Sequence, residues 1–266
     1  MPLTLTPIDH DDLCHGWRWE IANEADLARK VAMVALGQYR HVAQILAGID
    51  KKSPPTRKEA AAAAIKRLTV PDDSDPWHRD GWVFQTISWI AAHRTEKGVV
   101  ARAPHAIEAH KGFDGIQLRL DKKGHLVTAI VIFEDKATDS PRKTIRADVW
   151  DGIRSLEKGE RMPELIHDAT TILEAQQSVF PGLDIDQAIE KILWEEVRHY
   201  RVSITTSDTH IKDAARKKLF KGFDTVAPGK ASRRRADTMH FDDLRTWMDD
   251  FCVATIAQIK AWRDDV

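Results

Sequence analysis

The sequence predicts an α/β fold in which a small mixed sheet is flanked by helices, with an added helical region at the N-terminus. Two observations predict this class. Apolar residues at helical spacing dominate the first hundred residues, and after Gly98 alternating or continuous apolar segments appear between further helices. Hydrophobic residues make up 42% and charged residues 30% of the 266-residue chain, which favours a packed core over disorder.

Most of the regular elements are predicted as helices. The first covers residues 23–49, with Asn23 as a suitable N-cap and Gly48 at its end. Proline-containing segments at 51–56 and 71–76 interrupt the helical pattern, because proline cannot continue a helix. The other predicted helices cover residues 56–68, 80–96, 144–156, 163–176, 184–197, 208–220 and 241–262.

Four segments are predicted as strands, at residues 99–103, 116–120, 126–133 and 200–206. The second alternates apolar and polar side chains, as a half-buried strand does. The third is almost entirely apolar, which is typical of a central strand covered on both faces. Residues 121–124 end in glycine and predict a hairpin turn between these two strands.

These elements divide the chain into three predicted segments. Residues 1–75 form a helical N-terminal region, residues 76–210 contain the strands of the core, and residues 211–266 form a basic segment and a C-terminal helix packed on the core. Residues 212–235 carry nine basic and two acidic side chains, a net charge of +7. Such a stretch is either a solvated surface or a surface that contacts phosphates.

Composition excludes several classes of protein. The formal net charge is −1, so the chain is not uniformly basic, and its two cysteines provide no disulfide framework. The sequence has no Walker A or GxGxxG loop and no HExxH zinc motif. The N-terminus lacks a signal peptide and no apolar run is long enough to span a membrane, so we expect a cytoplasmic protein with no membrane partner.

Three charged residues stand at the ends of the two hairpin strands. Asp114 lies at the start of the first strand, and Glu134 and Lys136 lie at the end of the second. Because Glu134 and Lys136 are two positions apart, their side chains leave the same face of the strand. The hairpin brings Asp114 beside Glu134, so the sequence predicts two carboxylates and one ammonium group in a single site.

This combination suits a divalent cation. Mg²⁺ prefers oxygen ligands and takes its remaining ligands from water and substrate phosphate. Such an ion polarises a phosphoryl group and lowers the pKa of a bound water, while a neighbouring lysine orients that water. Charged residues also occur at strand ends simply because the chain emerges into water, and that simpler interpretation stays open.

Asp114, the Glu134-Asp135-Lys136 segment and the helix after it resemble the core of the PD-(D/E)xK nuclease superfamily. The resemblance implies a restriction-endonuclease-like α-β-β-β-α-β core. Its two acids match Asp114 and Glu134, and its lysine matches Lys136. Phe113 stands where the signature has proline. The family often adds an upstream acid or amide, for which the candidates are Glu96, Gln85 and Glu108.

The resemblance implies an activity and a set of ligands. It implies a nuclease dependent on Mg²⁺ or Mn²⁺ that acts on nucleic acid, with DNA favoured. Asp114, Glu134 and the backbone carbonyl of Asp135 would lie at the metal. It also implies a separate helicase, ATPase or sensor subunit, as in nuclease effectors of bacterial anti-phage defence. The expected nucleic-acid contacts are Lys143, Arg146, Lys217, Lys218, Lys221, Arg233, Arg234 and Arg235. The alternative is a non-catalytic scaffold or interaction subunit with the same fold.

Overall fold

The computed structural model of the chain describes residues 1–49, 55–96, 100–104, 112–194 and 197–264. The strands are β1 (Leu3–Asp9), β2 (His15–Ile21), β3 (Val100–Ala101), β4 (Gly115–Leu120), β5 (Val127–Lys136), β6 (Arg198–Thr206) and β7 (Arg234–His240).

The α-helices that precede β5 are α1 (Glu24–Ala35), α2 (Tyr39–Leu46), α3 (Lys58–Leu68) and α4 (Trp77–Thr95). Those that follow it are α5 (Pro141–Thr144), α6 (Trp150–Glu157), α7 (Met162–Gln177), α8 (Ile185–Trp194), α9 (Asp213–Leu219), α10 (Phe223–Val226) and α11 (Leu244–Asp264). A π-helical turn, Ile145–Val149, joins α5 to α6 without a break, and short 3₁₀ turns lie at Asp208–His210 and Ala231–Arg233.

All seven strands form one mixed sheet in the order β1-β2-β7-β6-β5-β4-β3. The four central strands β2, β7, β6 and β5 are parallel, whereas β1, β4 and β3 pair antiparallel to their neighbours. The carboxyl ends of the four parallel strands therefore lie at one edge of the sheet. The amino end of β4 lies at the same edge, because Gly115 pairs with Phe133 in the predicted hairpin.

The α/β class is confirmed, but the prediction of a small sheet is wrong. Strands β1, β2 and β7 were not predicted from the sequence. The region up to residue 75 begins with β1 and β2 and is therefore not purely helical. The sheet draws strands from all three predicted segments of the chain. Strand β7 was missed because its first residues are Arg234 and Arg235, which are buried here, whereas charged side chains usually indicate exposure.

Two predicted helices are each divided in the structure. The helix predicted over residues 23–49 becomes α1 and α2, because Gly37 adopts a left-handed backbone with a φ of +78°. Asn23 caps α1 as predicted, since its side-chain oxygen accepts a hydrogen bond of 2.8 Å from the Asp26 N–H. The helix predicted over residues 208–220 becomes a 3₁₀ turn followed by α9.

Helices cover both faces of the sheet. One face carries Ile132, Val202 and Ala236 and packs in an apolar cluster with α6, α7 and α8. On the other side, Trp19 and Met239 pack with α1, α4 and α11. Strand β5 lies between β4 and β6 and is buried over most of its length, which confirms its predicted central position. Among the helices of the described residues, none combines the length and apolar character needed to cross a membrane.

The sheet face toward α4 also carries a group of buried charges, which we call the interior cluster: Asp135, Arg201, Arg235 and Asp237. Their side chains occupy alternate positions of β5, β6 and β7. The Arg201 Nε donates to Asp237 at 2.8 Å, and the Arg235 Nε donates to the same carboxylate at 2.9 Å. Arg201 and Asp237 are completely buried, so each charge depends on its neighbours for compensation.

Candidate active site at the carboxyl end of β5

Three predicted side chains meet at the carboxyl end of β5, and we call them the cleft cluster: Asp114, Glu134 and Lys136. The Lys136 Nζ lies 3.0 Å from Asp114 Oδ2 and 3.1 Å from Glu134 Oε2. The β4–β5 hairpin provides this proximity, as predicted from the spacing. The side chains are 16%, 11% and 26% exposed in that order, so the cluster is half-buried but open to solvent.

Further donors fix the carboxylate of Asp114. The Gln85 Nε2 on α4 donates to Asp114 Oδ1 at 2.6 Å, and the backbone N–H of Asp135 donates to Asp114 Oδ2 at 2.8 Å. Both oxygens therefore have partners on rigid elements, which holds the group in one orientation. The structure thus brings Gln85, one of the three candidates for the upstream position, into the site.

The other two upstream candidates are not in this cluster. Glu96 follows the end of α4, about three turns away from Gln85 along the helix. Its carboxylate accepts hydrogen bonds from Gln117 at 2.7 Å and from the Arg119 Nε at 2.9 Å. Glu108 lies outside the described residues.

The side chain of Asp135 points away from the cleft cluster. It is buried against α4, where Asp135 Oδ1 accepts a hydrogen bond of 2.7 Å from the Ser88 hydroxyl. Burial raises the pKa of Asp135 to about 7, against the opposing effect of the Arg201 guanidinium. The predicted metal contact of Asp135 is its backbone carbonyl, and this orientation of the side chain leaves that prediction as it stands.

The electrostatics of the cleft cluster favour additional positive charge. Two carboxylates face one ammonium group, which leaves a net charge of −1 when all three are ionised. Burial raises the pKa of Glu134, and the nearby Asp114 carboxylate acts in the same direction. Burial alone would lower the pKa of Lys136, but the two carboxylates outweigh it and hold that pKa well above its usual range. Both shifts indicate a site that stabilises an added cation or proton.

Arg161, which was not predicted as a site residue, lies at the rim of this site. Its Nη1 is 4.0 Å from Glu134 Oε1, and its guanidinium carbon lies 4.2 Å from the centre of the Phe113 ring. The first cations predicted after Lys136 are the nucleic-acid contacts Lys143 and Arg146. A glycine within a helical pattern, Gly152, is the signal in the sequence for a close approach at this place. In the structure, a Cβ at residue 152 would lie 3.4 Å from Glu134 Oε1 and 3.9 Å from Arg161 Nη1.

Three predicted phosphate contacts do not fit the structure. Arg233, Arg234 and Arg235 are buried, with 4%, 3% and 5% relative exposure. Arg233 donates to Glu157 at 2.8 Å, and Arg234 donates to backbone carbonyls such as that of Leu13. Arg235 belongs to the interior cluster. These guanidinium groups hold β7 in place, and none is positioned to reach a nucleic acid.

The remaining predicted contacts are exposed. Lys143 and Arg146 line an open depression of about 520 Å³ together with Arg142. The Arg142 Nη1 donates to the carbonyls of Leu219 at 2.7 Å and Lys221 at 3.0 Å, which places the end of α9 beside α5. We call Lys143, Arg146, Lys218 and Lys221 the basic surface, and none of the four forms an ion pair with a described residue.

Lys217 differs from its neighbours. Its Nζ contacts Asp11 Oδ2 at 2.5 Å, so part of its charge is already compensated. The hydrogen bond to Asp11 holds the pKa of Lys217 above its ordinary value, and the ammonium group remains charged at neutral pH. Lys217 therefore contributes less to an unpaired positive surface than Lys218 or Lys221.

A second acidic group lies at the same edge of the sheet, after β6 and β7. The ligand atoms of Asp208, His240 and Asp242 lie within 4.8 Å of one another, and the His240 Nε2 is 2.9 Å from Asp208 Oδ1. The Asp208 and Asp242 side chains are 76% and 93% exposed. Because exposed acids often lie together and this imidazole already has a carboxylate partner, the geometry does not define a metal site.

Among known proteins, no family model matches this chain, and no curated protein matches it in sequence. The functional conclusion therefore rests on the geometry and charge of the cleft cluster.

Proposed function

We propose that the protein is a metal-dependent nuclease that hydrolyses phosphodiester bonds, with DNA as the favoured substrate. One observation carries the proposal: Asp114, which immediately precedes β4, and Glu134, on the antiparallel β5, lie within 3.1 Å of the same lysine ammonium group. This is the arrangement expected from the resemblance to the PD-(D/E)xK superfamily and its restriction-endonuclease-like core. The supporting region runs from α4 through the β4–β5 hairpin to α6.

The residues present fit a hard divalent cation. The donors are oxygen atoms, the net charge of the cluster is −1, and both pKa shifts favour added positive charge. In this proposal Asp114, Glu134 and the backbone carbonyl of Asp135 hold Mg²⁺ or Mn²⁺. When bound, the ion supplies Lewis-acid chemistry, which activates a water and polarises the phosphoryl group.

Lys136 acts in this proposal as a hydrogen-bond donor. The Glu134 and Asp114 carboxylates raise its pKa, so the side chain is an ammonium group at neutral pH. It can orient the attacking water and donate to a phosphoryl oxygen. The water oxygen forms a bond to phosphorus and releases a proton to solvent. The bond between phosphorus and the leaving oxygen breaks, and that oxygen takes up a proton.

The basic surface provides a route for the phosphate backbone. Its four cations are exposed, without carboxylate partners among the described residues, and it begins on α5, the element that follows β5. Binding through such contacts releases counterions and weakens steeply with salt. We further propose a cytoplasmic setting and a separate helicase, ATPase or sensor partner, as in bacterial defence systems.

The test is cleavage of plasmid, linear and single-stranded DNA with Mg²⁺, by the wild-type protein and by Lys136→Ala. Loss of the ammonium group is expected to lower the cleavage rate on the order of 10³-fold, because its donors stabilise charge in the transition state. The matched control is Lys260→Ala, which removes an exposed ammonium group from α11 on the opposite side of the sheet. Circular dichroism verifies that both variants fold.

A second measurement separates a nuclease from a scaffold. Mn²⁺ binding, followed by calorimetry, is expected in the wild-type protein and is expected to be lost in Asp114→Asn and Glu134→Gln. A scaffold would show no Mn²⁺ binding that depends on these carboxylates. If the wild-type protein neither binds Mn²⁺ nor cleaves DNA, the proposed function is wrong.

A further inference from the structure

Arg161 is held rigidly beside the cleft cluster by contacts outside it. The residue lies at the N-terminal boundary of α7. Its Nε and Nη2 donate to the two oxygens of Glu164, each at 2.9 Å, which forms a bidentate pair. The guanidinium carbon also lies over the buried Phe113 ring, 4.2 Å from its centre. A cation fixed by a carboxylate fork and an aromatic face loses little entropy when it binds a ligand.

The bidentate pair leaves one nitrogen directed at the site. Nη1 lies 4.0 Å from Glu134 Oε1, beyond hydrogen-bond distance, and it donates no hydrogen bond to any described residue. The Arg161 side chain is 25% exposed, so solvent or a ligand can reach it. The two donor hydrogens on Nη1 are therefore free for a group that enters the cleft.

Helix α6 leaves space at this position. Gly152 is an interior residue of α6, where glycine costs about 0.5 to 1 kcal/mol relative to alanine. A side chain at residue 152 would begin within 4 Å of both Glu134 and Arg161. The helix therefore presents backbone and no side chain of residue 152 to these two groups.

We propose that Arg161 is a catalytic residue that binds the phosphate undergoing hydrolysis, with Glu164 as its positioning residue. This inference rests on the proposed function. As water bonds to phosphorus and the leaving oxygen departs with its electron pair, negative charge grows on the non-bridging oxygens. A preorganised guanidinium donates to one of those oxygens and stabilises that charge. The simpler alternative is that Arg161 only balances the charge of Glu134 and supports the fold.

The first test uses thymidine 5′-monophosphate, a small phosphate ligand that needs no turnover. Its binding in the presence of Mn²⁺ is measured by calorimetry. Arg161→Ala is expected to weaken binding by about tenfold or more, because it removes charge-assisted hydrogen bonds. Glu164→Gln keeps the guanidinium but loosens its orientation, so a smaller loss is expected. Mn²⁺ affinity without nucleotide is expected to stay unchanged or to rise, because a nearby positive charge has been removed.

The second test is single-turnover DNA cleavage. Arg161→Ala is expected to lower the rate by roughly 10²-fold, the typical effect of removing one preorganised donor. Arg161→Lys keeps the charge without the planar fork and is expected to restore only part of the rate. The dissociation constant for an uncleaved duplex is expected to change much less, since the basic surface supplies most of that affinity.

The outcomes separate this inference from the proposed function. If the wild-type protein binds Mn²⁺ and nucleotide but Arg161→Ala retains wild-type nucleotide affinity, the role of Arg161 is wrong and the nuclease proposal stands. Equal losses of thermal stability, Mn²⁺ affinity and nucleotide affinity in Arg161→Ala would show the structural alternative and also overturn the inference. If the wild-type protein binds no Mn²⁺, both proposals fail together.

Discussion

The cleft cluster and the interior cluster lie on opposite faces of the sheet and handle charge differently. In the interior cluster, Asp135 and Asp237 face two guanidinium groups, and no member is more than 5% exposed. In the cleft cluster, two carboxylates share one ammonium group that is 26% exposed. Compensated, buried charge stabilises or specifies a fold, whereas uncompensated charge at an accessible edge is available to a ligand. The alternation of side chains along β5 places Glu134 and Lys136 on the face of the cleft cluster and Asp135 on the face of the interior cluster.

The largest expected effect on stability comes from the interior cluster. Asp237→Asn leaves Arg201 and Arg235 buried without the carboxylate that accepts from both of them, and the remaining acids are Asp135 and Glu96, which lies 3.9 Å from the Arg235 Nη1. The free energy of unfolding is therefore expected to fall by about 3 kcal/mol. Urea unfolding measures it. The matched control is Glu134→Gln in the cleft cluster, which removes one of two mutually repelling carboxylates. Its free energy of unfolding is expected to remain within about 1 kcal/mol of wild type. Equal destabilisation in both variants would contradict the distinction between the clusters.

The next largest effect is on the salt dependence of DNA binding by the basic surface. Replacing Lys143, Lys218 and Lys221 together with alanine is expected to reduce the slope of log affinity against log salt by roughly 2 to 3 for duplex DNA, because each phosphate contact contributes about 0.9. Fluorescence anisotropy with a labelled duplex, in the absence of divalent metal, measures the slope. The free energy of unfolding is expected to stay near that of the wild-type protein.

A charge-matched control keeps this prediction specific. Lys58, Lys66 and Lys260 are exposed on α3 and α11, which cover the opposite face of the sheet. Their triple replacement with alanine removes the same charge but is expected to leave the salt slope within about 0.5 of wild type. If both triple variants shift the slope equally, the basic surface has no special role in binding.

The smallest effect concerns pH. Burial, with the nearby Arg119, lowers the pKa of His199 from 6.5 to about 4 in the folded protein. Between pH 6.5 and pH 4, His199 is protonated in the unfolded chain but neutral in the folded protein. The contribution of the neutral imidazole to the free energy of unfolding is therefore complete above pH 6.5 and is lost as the pH falls toward 4. When the pH is lowered from about 7 to about 5, the free energy of unfolding is therefore expected to fall by about 1 kcal/mol less in His199→Gln than in the wild-type protein.

Urea unfolding at the two pH values measures this difference. His199 occupies the same sheet face as Arg201, two residues along β6, so its protonation adds an unpaired charge to an otherwise compensated region. An identical pH dependence in wild type and variant would show that His199 is accessible enough to titrate normally in the folded protein.

Much of the candidate site could be predicted from the sequence because it depends on local geometry. The two-residue period of β5 puts Glu134 and Lys136 on one face, and a short hairpin brings Asp114 to them. The helices with clear apolar spacing, such as α4 and α7, were predicted for the same reason, since periodicity is local. A local rule needs no knowledge of distant residues.

Only the tertiary structure decided the features that depend on partners far along the chain. Arg233, Arg234 and Arg235 were predicted to be exposed, but they are buried. Glu157 and the Leu13 carbonyl, both from other elements, compensate Arg233 and Arg234. Arg235 pairs with Asp237 of its own strand and lies 3.9 Å from the distant Glu96. Strand β7 was hidden for that reason, and with it the size of the sheet. Arg161 enters the site through the packing of α6 and α7 on β5, which no spacing in the sequence encodes. Charge compensation and packing are non-local, so the sequence alone determined the pair of carboxylates and the lysine, while the fold decided which cations surround them.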